Sequence, residues 1–356
     1  MKKDSDHHQS MAHIIHRLLV LVSILTIIIA VLLYLLLFGM PKLQAEKVER
    51  TREPSPASSL AATTPSKLWK APDTLSLKTN PEQAQILYGQ SIIRNTAQYL
   101  GPKGSVSHTT NGMNCQNCHL DAGTRPFGNN YSAVASTYPK FRERSGKTES
   151  VYKRVNDCLE RSLNGKALDT LSKEMQAIKA YIGWLGTGVK KGVKPPGSGI
   201  EDLPVLSRAA DPEKGLLVFT GKCISCHGAD GQGKLNPDGI AYQYPPLWGE
   251  HSYNSGAGLF RLTRFAGYVK NNMPFGATRE QPQLSNEEAW DVAAYVNSKP
   301  RPAGDVSKDW PRLSGKPFDN PFGPYADAFP EKQHKYGPYA PIEEWAKMNK
   351  EKTKHK

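Results

Sequence analysis

Cys115-Gln116-Asn117-Cys118-His119 and Cys223-Ile224-Ser225-Cys226-His227 place four of the chain's five cysteines in two copies of one spacing. Cys-x-x-Cys-His is the spacing of c-type haem attachment. Two thiols reach the vinyl groups on one edge of a porphyrin, and the next residue turns back to ligate its iron. With 5 Cys and 10 His in 356 residues, one such run arises by chance in roughly two chains per thousand, and two runs are far rarer. A zinc site or a Cys-x-x-Cys redox pair would not call for His at the same place twice. Each run sits in a segment that ends in an amphipathic stretch, Leu171 to Leu185 with Tyr181-Ile182, and Leu284 to Val296 with Tyr295-Val296. Ser285 followed by Glu287 and Glu288 marks the second helix start. The chain therefore reads as a divergent internal repeat, mainly α, so that one copy helps to locate sites in the other.

Organisation around the repeat follows from composition. Leu18 to Met40 is 23 residues without a charge, enough for a helix of roughly 30–35 Å that spans a bilayer core. The run is too long for a cleavable signal and no small-residue cleavage site follows it, so a retained anchor is expected. No cysteine stands directly after it either, which disfavours a lipid anchor. The expected order is a cytoplasmic N-terminus over 1–17, a transmembrane signal anchor over 18–40 and a flexible linker over 41–75, rich in Pro, Ser, Thr and Ala. A first haem domain over 76–190, a Gly/Pro linker over 191–204, a second haem domain over 205–300 and an extended Pro/aromatic tail over 301–356 follow. The tail shows no helical period before about Pro341. Haem attachment of this kind takes place outside the cytoplasmic membrane, which puts the domains in the periplasm of a single-pass inner-membrane protein. Lysine plus arginine exceed the acids to give a net charge of +13. Outside the cytoplasm that charge points to anions and acidic redox partners, not to nucleic acid.

The sixth iron ligands are the next question. Asn272-Met273-Pro274-Phe275-Gly276 lies in a loop before the last helix of the second domain, and His227 is followed by Gly228-Ala229-Asp230-Gly231-Gln232-Gly233. This stretch resembles the class I cytochrome c domain, in which a loop methionine faces the iron opposite histidine. A thioether there raises the reduction potential, as suits a haem that passes electrons onward. The first domain has no matching Met-Pro. Met273 precedes Tyr295 by 22 residues, and Cys158 precedes Tyr181 by 23, so the repeat places the one spare cysteine where the second domain has its ligand. Met175 competes but falls inside the last helix, and His108 and His251 remain open by spacing. Val151 to Asn164 reads as a helix closed by Gly165. Steps of four would then put Arg154, Cys158 and Ser162 on one face, where cation and hydroxyl make an anion patch.

Asn111-Gly112-Met113-Asn114 before the first motif, Tyr138-Pro139 with Phe141-Arg142, and Arg154-Val155-Asn156-Asp157-Cys158 together resemble dihaem thiosulfate dehydrogenase, a tetrathionate-forming family related to the haem-thiolate sulfur-oxidising cytochromes. The resemblance spans about 80–300. It implies two tandem class I cytochrome c-like domains and two covalently attached haem c groups, with His119 and Cys158 as the first iron's ligands. It also implies His227 and Met273 on the second iron; the neighbouring lysine that replaces methionine in some members has no match here, since Asn272 precedes Met273 and the nearest lysine is Lys270. Arg144, Arg154 and Ser162 map to positions that handle the anionic substrate.

The implied reaction joins two thiosulfates into one tetrathionate and yields two electrons. On this reading Cys158 leaves the iron to bond one thiosulfate, a second thiosulfate releases tetrathionate, and electrons run from the first haem to the second. A soluble or membrane acceptor, a cytochrome c or an oxidase, then collects them. Two other readings use the same motifs: a membrane-tethered carrier without chemistry, and the same site working as a tetrathionate reductase.

Overall fold

A computed structural model describes residues 3–38 and 68–354. The chain divides into two units, Met1–Ala62 and Thr63–Lys356. The first contains α1 (Lys3–Phe38), whose stretch Ile15–Tyr34 has a mean hydropathy of 2.7 and is long and apolar enough to cross a membrane. Of the expected linker, residues 41–67 lie outside the described residues. Its last part packs on the first haem-motif domain, where Trp69 is buried and donates its backbone N–H to Pro196.

The second unit shows how closely the repeat is kept. In the first half α2 (Gln83–Arg94) crosses α4 (Lys173–Leu185), with α3 (Val151–Asp157) between them in sequence. In the second half α5 (Pro212–Lys222) crosses α7 (Asn286–Ser298), and α6 (Leu262–Asn272) packs beside α7. A glycine sits at each crossing. A Cβ on Gly89 would lie 2.0 Å from the carbonyl oxygen of Ala177, and one on Gly215 would lie 2.0 Å from that of Asp291. Four residues further on, Tyr181 and Tyr295 pack against these same glycines. Only a residue without a side chain lets the helices approach so closely.

Local signals explain the helix starts. Ser285 and Glu288 form a reciprocal capping box at α7, and Asp211 with Pro212 opens α5. Ser150 and Ser172 cap α3 and α4. Each of these side chains satisfies N–H groups that the first helical turn leaves free. Two short antiparallel ribbons complete the unit, β1 (Lys140–Arg142) on β2 (Lys147–Glu149) and β3 (Lys234–Leu235) on β4 (Tyr242–Tyr244).

Three expectations need correction. The single helix over 151–164 is broken: after α3 the chain widens into a π-turn over Cys158–Ser162, and Leu163 donates to the carbonyl of Cys158 at 3.0 Å. Its left-handed closing residue is Asn164 (φ 44°), not Gly165. Gly165 is needed for a different reason, since a Cβ there would stand 2.2 Å from the carbonyl of Thr109. The tail also turns helical before Pro341, with α8 (Glu331–Tyr336) and α9 (Ala340–Lys354). It is built into the second domain. Tyr339 and Ile342 join the core around Phe219, Trp290 and Tyr295. Asp319, fully buried, accepts from Arg261 Nε at 2.7 Å and from the backbone of Thr263 at 3.2 Å, which satisfies the start of α6.

Candidate functional site: two histidine-cysteine centres and an arginine cluster

The second centre opens on a cavity of about 660 Å³ whose walls include Cys223, Cys226, His227 and Met273. α6 ends at Asn272 and delivers Met273 at its C-cap. The Nδ1–H of His227 donates to the carbonyl of Pro245 at 2.9 Å, and burial holds the ring's pKa below its usual value. A neutral imidazole with Nδ1 occupied presents Nε2, the form that binds iron. The same cavity reaches Met113, Asn117 and Cys118 of the first domain, and Tyr268 donates to the carbonyl of Asn117 at 3.1 Å. The two centres therefore share one wall. Lys270 is engaged elsewhere, with the carbonyl of Leu284.

The first centre repeats the pattern. The Nδ1–H of His119 donates to Asn129 at 2.5 Å, and the ring stacks on Tyr131 at 4.5 Å. Burial, with Arg154 nearby, pushes its pKa down to about 4. Burial also pushes the Cys115 and Cys118 thiols up, to about 11 and about 12, and Cys223 to about 11. All five cysteines are free of disulfides. Free thiols in pairs, imidazoles with Nδ1 occupied and a cavity beside them fit covalent c-type haem.

Cys158 lies against this first centre, for its neighbours Val155 and Leu159 pack in one cluster with Met113 and Cys115. Arg154 Nη1 stands 3.1 Å from Cys158 Sγ, and the sulfur holds the arginine firmly charged against burial. Met175 is wholly buried in the core, and both His108 and His251 are exposed. Ser162 is half-buried, and the π-turn changes its bearing from Cys158 relative to the straight helix expected.

Arg144 comes from the ribbon turn after β1. Its Nη1 donates to the carbonyl of Gly256 at 2.9 Å and its Nε lies 3.7 Å from Asp309. Burial, with Arg161 next to it, brings its pKa down to about 10. The fields of Arg142 and Arg154 also reach it, so four arginines gather around one short stretch. Sequence reasoning missed Arg161 and Asp309. Arg161 holds Asp309 in a two-pronged pair at 2.7 and 2.9 Å. No local pattern could have signalled a partnership across 148 residues.

Comparison with known proteins agrees with this architecture. Residues 105–190 match the family described as "SoxA/TsdA, cytochrome c domain", and residues 212–300 match "Cytochrome c". The thiosulfate dehydrogenase of Psychrobacter arcticus is 36% identical over 245 residues, covering 68% of this chain and 71% of that protein. That of Allochromatium vinosum is 40% identical over 220 residues, covering 60% and 79%. The solved thiosulfate dehydrogenase (TsdBA) of Marichromatium purpuratum, in its "as isolated" form, superposes with a TM-score of 0.61 at 30% identity. The alignment covers 70% of this chain, which spans about half of that structure's chain (51%). The unit thus holds two cytochrome c domains in tandem, with two covalently bound c-type haems.

Proposed function

The chain belongs to the thiosulfate dehydrogenase family, and we propose that its first domain oxidises two thiosulfates to one tetrathionate at Cys158. The observation that carries this reading is the 3.1 Å contact between Arg154 and the Cys158 sulfur, beside the first haem-attachment motif. A plain electron carrier gains nothing from an arginine held against a thiol.

When bound, the haems would supply two one-electron acceptors, and His119 with Cys158 would hold the first iron and His227 with Met273 the second. The residues must bring two dianions together sulfur to sulfur. At about 4 Å each pair of unit charges repels by on the order of 4 kcal/mol at an effective dielectric near 20. Arg154 and Arg144 offset that repulsion and orient the sulfonate oxygens. The Cys158 sulfur bonds the outer sulfur of one thiosulfate as two electrons leave the pair. A second thiosulfate attacks that outer sulfur, tetrathionate departs, and Cys158 is left as thiolate. Ser162, at the end of the π-turn that begins at Cys158, is a hydroxyl donor for the same anions.

Electrons leave through the second domain, whose cavity wall already includes Cys118, to a cytochrome or oxidase acceptor. Residues 18–40 anchor the chain in the inner membrane with 76–190 and 205–300 as periplasmic haem domains, 191–204 joining them and 301–356 as the tail. The optical and electron-spin spectra of the oxidised protein test the ligand assignment. One His/thiolate and one His/Met haem are expected as separate signals, whereas two His/Met signals would remove Cys158 from the site.

A further inference from the structure

The tail lies outside both matched cytochrome regions, 105–190 and 212–300, yet one stretch of it is fastened to the ribbon that carries Arg144. Asp309 Oδ2 lies 2.7 Å from Arg161 Nη1 and 3.7 Å from Arg144 Nε, so one carboxylate oxygen stands between two guanidinium groups. The next residue, Trp310, donates its backbone N–H to the carbonyl of Arg144 at 2.7 Å, and its ring lies 5.4 Å from the Arg144 guanidinium carbon. Trp310 does this at φ 60°, a left-handed conformation unfavourable for a bulky residue and kept only where its surroundings hold it. Beyond it, Pro311 closes over Gly146, and Arg312 clasps Glu143. These contacts fall within four consecutive residues.

We infer that this strap completes the substrate site, and that Asp309 is a positioning residue holding the Arg144 guanidinium at the anion subsite. The inference rests on the reading of Arg144 as a thiosulfate-binding group. Arg144 and Arg161 both donate to the carbonyl of Gly256 and repel one another. Asp309 is 9% exposed, with Arg144 at 16% and Arg161 at 19%, so bulk water screens the three poorly. The carboxylate occupies both prongs of Arg161, which neutralises that residue and removes it as a competing anion site. Arg144 is thereby fixed by Asp309 on its Nε side, by Gly256 at Nη1 and by Trp310 across its face. Without the carboxylate the two cations separate, and Arg144 loses its bearing on the incoming dianion.

The test is steady-state turnover of the full, haem-loaded protein carrying Asp309→Asn, a change that keeps the shape and removes the charge. KM for thiosulfate should rise on the order of tenfold, with kcat within about twofold and the haem absorption spectrum unchanged. Asp309→Glu should lie between the two. Asp309→Ser removes the same charge with a smaller side chain and should raise KM in the same way, which keeps the test open if the asparagine variant does not fold. An unchanged or lower KM in these variants would overturn the inference. No tetrathionate from the wild-type protein would instead overturn the reading on which it rests.

Discussion

Arg154 and Cys158 lie one helical turn apart and touch, nitrogen to sulfur at 3.1 Å, where α3 gives way to a π-turn. The arginine is kept charged by that sulfur, and its field extends to His119. A positive charge fixed beside a sulfur in a haem-motif domain attracts an anion to the same place. Thiosulfate is such an anion.

Arg154→Gln removes this charge while keeping polarity. Loss of one pre-positioned charged donor at a reacting centre typically costs on the order of 10²–10³ in rate. A fall of that order in kcat/KM for thiosulfate is expected, with both haems still attached. Steady-state kinetics on protein of verified haem content measures it, and a change below about threefold would remove Arg154 from the mechanism.

Cys158→Met replaces the thiol with a thioether and takes away the group proposed to bond the substrate sulfur. Tetrathionate formation should fall to background while the second haem's spectrum is unaltered. Full turnover in this variant would sink the covalent role of Cys158.

Met273→His exchanges a thioether for an imidazole at the end of α6. The second haem's potential should fall by on the order of 100 mV, within the roughly 0.8 V range that axial ligands span. The first haem's potential should hardly move. A spectroelectrochemical titration with the two haems resolved checks this, and a shift confined to the first haem would refute the assignment.

Asp319→Ala tests whether the tail belongs to the second domain. Asp319 is wholly buried and pairs with Arg261, itself only 20% exposed. Removing one partner of such a pair leaves an uncompensated charge, at about 3–5 kcal/mol. The denaturation midpoint of the second domain should drop accordingly, and an unaltered midpoint would show the tail to be an ornament on that domain.

Those elements whose information is local were legible in the sequence. The attachment motifs fix their own spacing, and Ser285 and Glu288 announce the start of α7. Gly89 and Gly215 were harder, because a glycine inside a helix reads only as a weak helix former. Its purpose appears when the carbonyl of the crossing helix is found where a methyl group would go. The π-turn after Asp157 has no simple residue signature, and by sequence a regular helical period continues to Asn164. Asp309 lies beyond the repeat, and its pairing with Arg161 depends on how the tail folds back over the ribbon turn near Gly146.

The most direct measurement mixes the haem-loaded protein with thiosulfate and an artificial one-electron acceptor, then quantifies tetrathionate. One tetrathionate for every two thiosulfates consumed and two acceptor molecules reduced is the predicted result. No tetrathionate from protein carrying both haems would contradict the account and leave a tethered electron carrier in its place.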